Sequence, residues 1–337
     1  MDELRSNADA VVEGSLQWAF MRREDIPELA ALREAIDYFE DPIEHRDQET
    51  IARDYDRDVN LDGFLATVGR DSGGSVVAYG WIHPSVAPEL AGHLWLETGT
   101  HPAARHRGVG RRLIAWCVSR AEEWHAAQGP GVPPLWLGYL VDEKFEGLRA
   151  ALAEQGFTPQ RWYFDAHLRF ADQPETPAVP SIPGVRLVNY SADLSEPVRL
   201  AHNTVFGVLP GARPYTQADW EWSLGETGER PDLSWVALSA ADGSVVGYAL
   251  NTLYGPDGED GGSEGWTTRF GVRHPWRHRG IGMALIAASV QSFRQAGLDG
   301  AGLGIDTEDP VSATRLLERC GFASQERVVL YARGANR

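Results

Sequence analysis

The 337-residue chain is poor in cysteine, in methionine and in positive charge relative to negative. Its two cysteines, Cys117 and Cys320, fall one in each half within apolar helical patterns. That usage predicts a reducing compartment and no disulfide framework. Lysine and arginine number 31 against 48 aspartates and glutamates, a net charge of −17. Such a balance argues against a nucleic-acid binder or an anionic-membrane binder and suits a cationic or amine substrate. No apolar run approaches the roughly 18 residues of a membrane span. The stretch MDELRSNADAVVEG is acidic and polar, unlike a signal peptide, so a cytoplasmic protein is expected. No His/Cys cluster has metal-ligand spacing, so no metal is expected. Gly-x-Ser-x-Gly, the dinucleotide G-x-G-x-x-G and the P-loop Gly-Lys-Ser/Thr are also missing.

What the chain does have, it has twice. Residues 105–110 read Arg-His-Arg-Gly-Val-Gly and residues 277–282 read Arg-His-Arg-Gly-Ile-Gly. Each string follows a His-Pro pair and runs into an apolar helical pattern. GSVVAYG at 74–80 matches GSVVGYA at 243–249, and each half ends a helix on Gly-Phe, at Gly156-Phe157 and Gly321-Phe322. Three ordered matches indicate an internal duplication. With 43% apolar residues and 12 tryptophans there is material for two cores. The stretch 171–184, ADQPETPAVPSIPG, carries four prolines and reads as a semi-extended linker. The expected organisation is a domain over 1–170, a linker over 171–184 and a second domain over 185–337.

Both halves repeat one order of elements: a strand, two helices, a hairpin, a third strand, the glycine turn and its helix, a strand, a helix and a closing strand. The closing strands are expected at 161–170 and 327–332, and the strands before the glycine turns at 93–100 and 264–272. Strand-rich runs beside helical ones predict an α/β (α+β) fold.

A strand that ends, turns tightly on glycines and starts a helix exposes unpaired backbone N–H groups where the helix dipole adds partial positive charge. Gly108 and Gly110, and Gly280 and Gly282, allow a pyrophosphate to approach the backbone. Arg105, Arg107 and Arg111, and Arg277 and Arg279, supply charge. His106 and His278 are expected to contact an anion or solvent rather than to catalyse.

The pattern R-x-x-G-x-G after such a strand resembles the acetyl-CoA motif of the GCN5-related N-acetyltransferase (GNAT) superfamily. SATRLLERCGF (312–322) and the element order resemble that fold too, over nearly the whole chain, which implies two tandem GNAT-like domains, each with a mixed, mostly antiparallel central sheet flanked by helices. The tandem layout is similar to that of the mycothiol synthases. The resemblance implies acetyl-CoA as cosubstrate and direct attack of a small-molecule amine on its thioester. It implies that the amides of 105–110 and 277–282, Val109 and Ile281 included, hold the pyrophosphate. It also implies that the strand ends Thr98–Thr100 and Phe270–Val272 splay to receive the pantetheine arm.

Direct transfer needs a group to take the amine proton. Glu97 and Glu264 are the candidate bases, and Tyr331 on the last strand is a candidate acid. In the family a tyrosine often stands four residues before the Gly of Gly-Phe; here those positions hold Leu152 and Leu317. Unbroken alternation would put Glu264 on the face of Val272 and Glu97 on the face opposite Thr100. Trp220 and Trp222 lie where an acceptor site is expected. The second domain is expected to be catalytic and the chain to be monomeric. The rival expectations are a non-catalytic acyl-CoA-binding or interaction module, or a protein N-acetyltransferase.

Overall fold

The computed structural model describes residues 15–40, 45–86, 90–129, 131–207, 214–254 and 263–334. The acidic stretch at residues 1–14 lies outside them. The chain divides into two compact units. Unit 1 is formed by residues 1–160 and 328–337, and unit 2 by residues 161–327.

Unit 1 opens with β1 (Gln17–Phe20), α1 (Ile26–Glu40) and α2 (Gln48–Asp58). It continues with β2 (Leu65–Arg70), β3 (Val76–Pro84), β4 (His93–Thr100), α3 (Val109–Ala127), β5 (Trp136–Asp142) and α4 (Glu146–Glu154). Helix α1 buries Ile26, Leu29, Leu32 and Ile36, an i, i+3, i+6, i+10 stripe, against Val68, Tyr79 and Trp81 of the sheet. Asp25 does not cap that helix. Its carboxylate accepts from the Arg22 amide (2.7 Å) and pairs with Arg70, because a short 3₁₀ turn at 23–25 leads into α1. Asp47 caps α2 by accepting from the Thr50 amide at 2.8 Å.

Unit 2 repeats the order. It contains β7 (Val185–Asn189), α5 (Ser195–Phe206), α6 (Gln217–Thr227), β8 (Trp235–Ser239) and β9 (Val245–Tyr254). These are followed by β10 (Glu264–Val272), α7 (Ile281–Gln295), β11 (Gly300–Thr307) and α8 (Pro310–Cys320). One face of its sheet packs on α7 and α8 through Ile286, Val290, Phe293 and Leu317, and α5 and α6 bury Val198 and Trp220 against Val236 and Tyr248. Gly321, at φ +85°, ends α8 in the left-handed conformation expected of it.

Two strands depart from the order read in the sequence. β6 (Thr158–Arg169) begins in unit 1, but its residues 162–169 pair antiparallel with β11 of unit 2. β12 (Ala323–Gly334) begins in unit 2, but its residues 328–334 pair antiparallel with β5 of unit 1. The sheet of unit 1 therefore runs β1-β2-β3-β4-β5-β12 and that of unit 2 runs β7-β8-β9-β10-β11-β6. Each closing strand completes the sheet of the other sequence half. Among the described residues every neighbouring pair within a unit is antiparallel except β4–β5 and β10–β11.

Candidate functional site

The two parallel pairs open in the same place. β4 and β5 are paired from His93↔Trp136 to Trp95↔Gly138, and β10 and β11 from Glu264↔Gly300 to Thr267↔Leu303. Beyond those points Thr98–Thr100 and Phe270–Val272 keep only their antiparallel neighbours β3 and β9. This is the splay expected at both strand ends. Tyrosine fixes its geometry in each unit: Tyr79 lies opposite Gly99 and Tyr248 opposite Gly271. A Cβ on Gly99 would meet the Tyr79 ring at 2.2 Å, and one on Gly271 the Tyr248 hydroxyl at 2.7 Å. Only glycine fits beneath either ring.

The turns that follow are near-identical. His106 and Gly108 have φ of +61° and +75°, and His278 and Gly280 have +60° and +84°. Two left-handed residues separated by one make successive amides converge into an anion-binding nest at the start of α3 and of α7. The histidines are exposed and serve backbone shape. Val109 and Ile281 are buried as the first residues of their helices. Arg105 donates through Nε to the Thr100 carbonyl at 3.1 Å, and Arg277 likewise to Val272 at 3.1 Å. These arginines tie the turn to its strand. Arg105 also pairs with Glu40 (2.6 Å) and lies 5.4 Å from the Phe39 ring centroid. Arg107 is exposed, Arg111 pairs with Glu154 and Arg279 stacks over Trp276. Gly110 and Gly282 stand in the first turn of their helices, and a Cβ on Gly282 would meet the Phe270 ring at 3.1 Å.

The two openings differ in what fills them. In unit 1 the Tyr139 hydroxyl lies within hydrogen-bonding distance of the Thr98 amide (3.2 Å), carbonyl (3.2 Å) and Oγ1 (2.9 Å). Its phenol is buried, and burial pushes its pKa well up, so it stays protonated. In unit 2 Leu303, which follows the Trp266↔Gly302 pair as Tyr139 follows Trp95↔Gly138, is itself paired with Thr267, and no side chain among the described residues bonds the corresponding Phe270 amide.

The candidate proton-transfer residues are dispersed. Glu97 sits in a network within unit 1. It accepts from Arg33 (2.5 Å), Arg46 (2.8 Å) and Tyr79 (2.6 Å), and lies 3.2 Å from His83 Nε2. Burial alone would raise its pKa; the His83 hydrogen bond and the Arg33 and Arg46 charges outweigh burial and hold it well below the usual carboxylate range. Burial opposes charge on His83, yet Asp58 at 2.6 Å and Glu97 raise its pKa. Glu264 stands at the first residue of β10, paired with His167 at 3.0 Å, where the strands have not yet opened. The alternation placing Glu264 on the face of Val272 is broken, because β10 bulges between Thr267 and Arg269. Tyr331 pairs opposite Tyr139 in unit 1 and accepts from Arg149 Nε at 3.1 Å. Glu264 belongs to unit 2 and Tyr331 to unit 1, because the end of β12 pairs with β5.

Sequence patterns gave no sign of the polar group beside that bulge. Thr268, the bulged residue, donates to Glu229 Oε1 at 2.7 Å, and Arg269 Nη1 donates to the same oxygen at 2.5 Å. Arg269 lies 5.3 Å from the Trp220 ring centroid. Trp220, fully buried, abuts His202 and Tyr215 at 5.2 and 5.6 Å between ring centroids, while Trp222 is exposed. A cavity of about 410 Å³ opens there, lined by His202, Asn203, Phe206, Pro214, Tyr215 and Asp219 among others. His202 accepts from or donates to the Tyr248 hydroxyl at 2.8 Å; burial, and then the Arg269 charge, push its pKa down to about 4. It is therefore neutral near pH 7.

Comparison with known proteins agrees with this geometry. The family model described as "Acetyltransferase (GNAT) family" matches residues 28–129 and again 201–322. A mycothiol acetyltransferase of Mycobacterium avium (strain 104) is 26% identical over 281 residues, covering 78% of this chain and 81% of that protein. One from Tsukamurella paurometabola is 26% identical over 275 residues, covering 77% and 85%. Among solved structures, a GCN5-related N-acetyltransferase from Sphaerobacter thermophilus superposes with a TM-score of 0.63 at 21% identity, covering 97% of this chain and 98% of that one. A tandem GNAT protein from the clavulanic acid biosynthesis pathway has a TM-score of 0.52 at 18% identity, covering 96% and 99%. Among the described residues no helix is long and apolar enough to cross a membrane. With the family model matched once in each sequence half, the chain belongs to the GNAT acetyltransferase family as a tandem member.

Proposed function

We propose that this protein transfers the acetyl group of acetyl-CoA to the amine of a small molecule, and that unit 2 holds the donor and performs the chemistry. The observation that carries the choice of unit is the sheet opening. In unit 1 the Thr98 main chain is already engaged by Tyr139; in unit 2 the equivalent strand end is free of such a partner. A pantetheine arm needs those main-chain groups. The nest at 278–280 supports the phosphate end, and the aromatic cavity beside Trp220 supports an acceptor with an apolar or aromatic body. The acidic chain favours an approaching ammonium, which must then lose a proton before it attacks.

Isothermal titration with acetyl-CoA tests this reading. One molecule per chain is expected, with binding lost in Gly280→Val, where a β-branched residue cannot hold φ +84°, and retained in Gly108→Val. Thiol release on adding primary amines is expected from the wild type and not from Gly280→Val. Binding that survives in Gly280→Val, or no binding by the wild type, overturns the proposal.

A further inference from the structure

Glu229 is a carboxylate with one oxygen committed and one left over. It follows Gly228, the left-handed cap of α6, and its side chain is only 6% exposed. Thr268 Oγ1, Arg269 Nη1 and Thr227 Oγ1 (3.2 Å) all approach Oε1. Oε2 is buried and has no hydrogen-bond partner among the described residues. A purely structural pair between arginine and carboxylate in so dry a place tends to use both oxygens in a fork. Here the Arg269 guanidinium instead lies over Trp220 and its Nη2 points toward the Ser223 carbonyl at 3.5 Å. Leaving a buried carboxylate oxygen unpaired is costly and calls for an explanation.

The place of this oxygen supplies one. Thr268 is the residue at which β10 has just parted from β11, so the Glu229 carboxylate stands at the root of the opening in unit 2. Through Arg269 and Trp220 it is linked to the His202 cavity. We infer that Glu229 accepts the proton of the attacking amine through Oε2, an inference that rests on the acetyl-transfer reading above. The amine nitrogen forms a bond to the thioester carbonyl carbon and the C–S bond breaks. The proton leaves nitrogen for Glu229 Oε2, and the thiolate departs to take a proton from solvent. Thr268, Arg269 and Thr227 hold Oε1 and so fix where Oε2 lies.

Burial pushes the Glu229 carboxyl above its ordinary value, and the bonds from Thr268, Arg269 and Thr227 offset this only in part. Raised basicity is what proton acceptance near neutral pH requires. The other titratable groups facing it are Arg269 on β10, Tyr190 at the end of β7, and, beyond Trp220, His202 on α5 and Tyr248 on β9. His202 titrates at about 4, and both tyrosines are shifted upward. An acid limb above the ordinary glutamate range and below the pH at which the substrate amine itself deprotonates is therefore assigned to Glu229.

The test is Glu229→Gln, which preserves shape and an acceptor for Thr268 and Arg269. The probes are tryptamine, tyramine, phenethylamine and cadaverine, with thiol release from acetyl-CoA as the rate. In the wild type, kcat/KM should rise with pH through two limbs, an alkaline one from the substrate amine itself and a lower one above the ordinary glutamate range. In Glu229→Gln it should fall on the order of 10²-fold and lose the lower limb alone, with acetyl-CoA affinity by calorimetry unchanged within about twofold. A variant that keeps the rate and the lower limb overturns the assignment while leaving acetyl transfer standing. A wild type that binds acetyl-CoA but releases thiol to none of the four amines overturns both. Should the variant not fold, a wild-type profile lacking the lower limb overturns Glu229 by itself.

Discussion

Units 1 and 2 place different chemistry on equivalent backbone. Tyr79 and Tyr248 are 248 − 79 = 169 residues apart, and Arg33 and His202 share that offset, 202 − 33 = 169. In unit 1 the α1 residue facing the tyrosine is a cation; in unit 2 it is a neutral imidazole. One strand further, Glu97 pairs opposite Trp81 and Arg269 opposite Leu250, so the charge on the central strand is reversed as well. Unit 1 uses its site to lock ions together, with Arg33, Arg46, His83 and Asp58 around one carboxylate. Unit 2 uses the same ground for an aromatic cavity and a single ion pair with a spare oxygen. The two units share the glycine turn and differ on the helical side of the opening.

The largest way to break this contrast is to remove the centre of the unit 1 network. Glu97→Gln leaves Arg33 without its carboxylate partner and Arg46 with Asp54 alone, and is expected to cost about 3 kcal/mol in denaturant unfolding. Acetyl-CoA binding should persist at one molecule per chain. A loss of binding in that variant would mean that unit 1 holds the donor.

A smaller energetic change should convert one unit towards the other. Tyr139→Leu gives unit 1 the residue that unit 2 has at Leu303, removing the hydroxyl from the Thr98 main chain. The expected cost is about 1 kcal/mol for the lost hydrogen bonding. The expected gain is a second acetyl-CoA in the calorimetric titration. A titration still showing one site would mean that something other than Tyr139 closes unit 1.

The mildest test is pH. His83 has a folded pKa raised above its unfolded 6.5, so its stabilisation is complete below that value and is lost as pH rises through the raised one. His202 is lowered from 6.5 to about 4, so its neutral form costs nothing above 6.5, and stability is lost as pH falls from 6.5 towards 4. Hydrogen exchange followed by peptide should therefore show α2 and β3 loosening on the alkaline side and α5 and α6 on the acid side. The same trend in both units would refute the assigned charge states.

Much of the fold is legible in the sequence because its signals are local. Period, turn glycines and Gly-Phe caps place β4, β10, α3 and α7 within a residue or two. The nests are legible for the same reason, since glycines flank them. The site is less so. A one-residue bulge at Thr268 is invisible to alternation, and it is what separates Glu264 from the face of Val272. Tyr139, Glu229 and Arg269 are single polar residues whose meaning depends on partners distant in sequence. Nor can a strand pattern at 161–170 or 327–332 say which of two similar sheets it joins.

The exchange of closing strands constrains how the repeat can be inherited. A chain severed within 171–184 gives two fragments, each carrying one strand of the other's sheet and missing one of its own. Each would show an unpaired edge at β5 or β11, a surface that recruits other strands. The halves still read as copies, yet each supplies one strand of the other's sheet. A deletion of one copy would leave the remaining sheet one strand short, however redundant the pair looks in sequence.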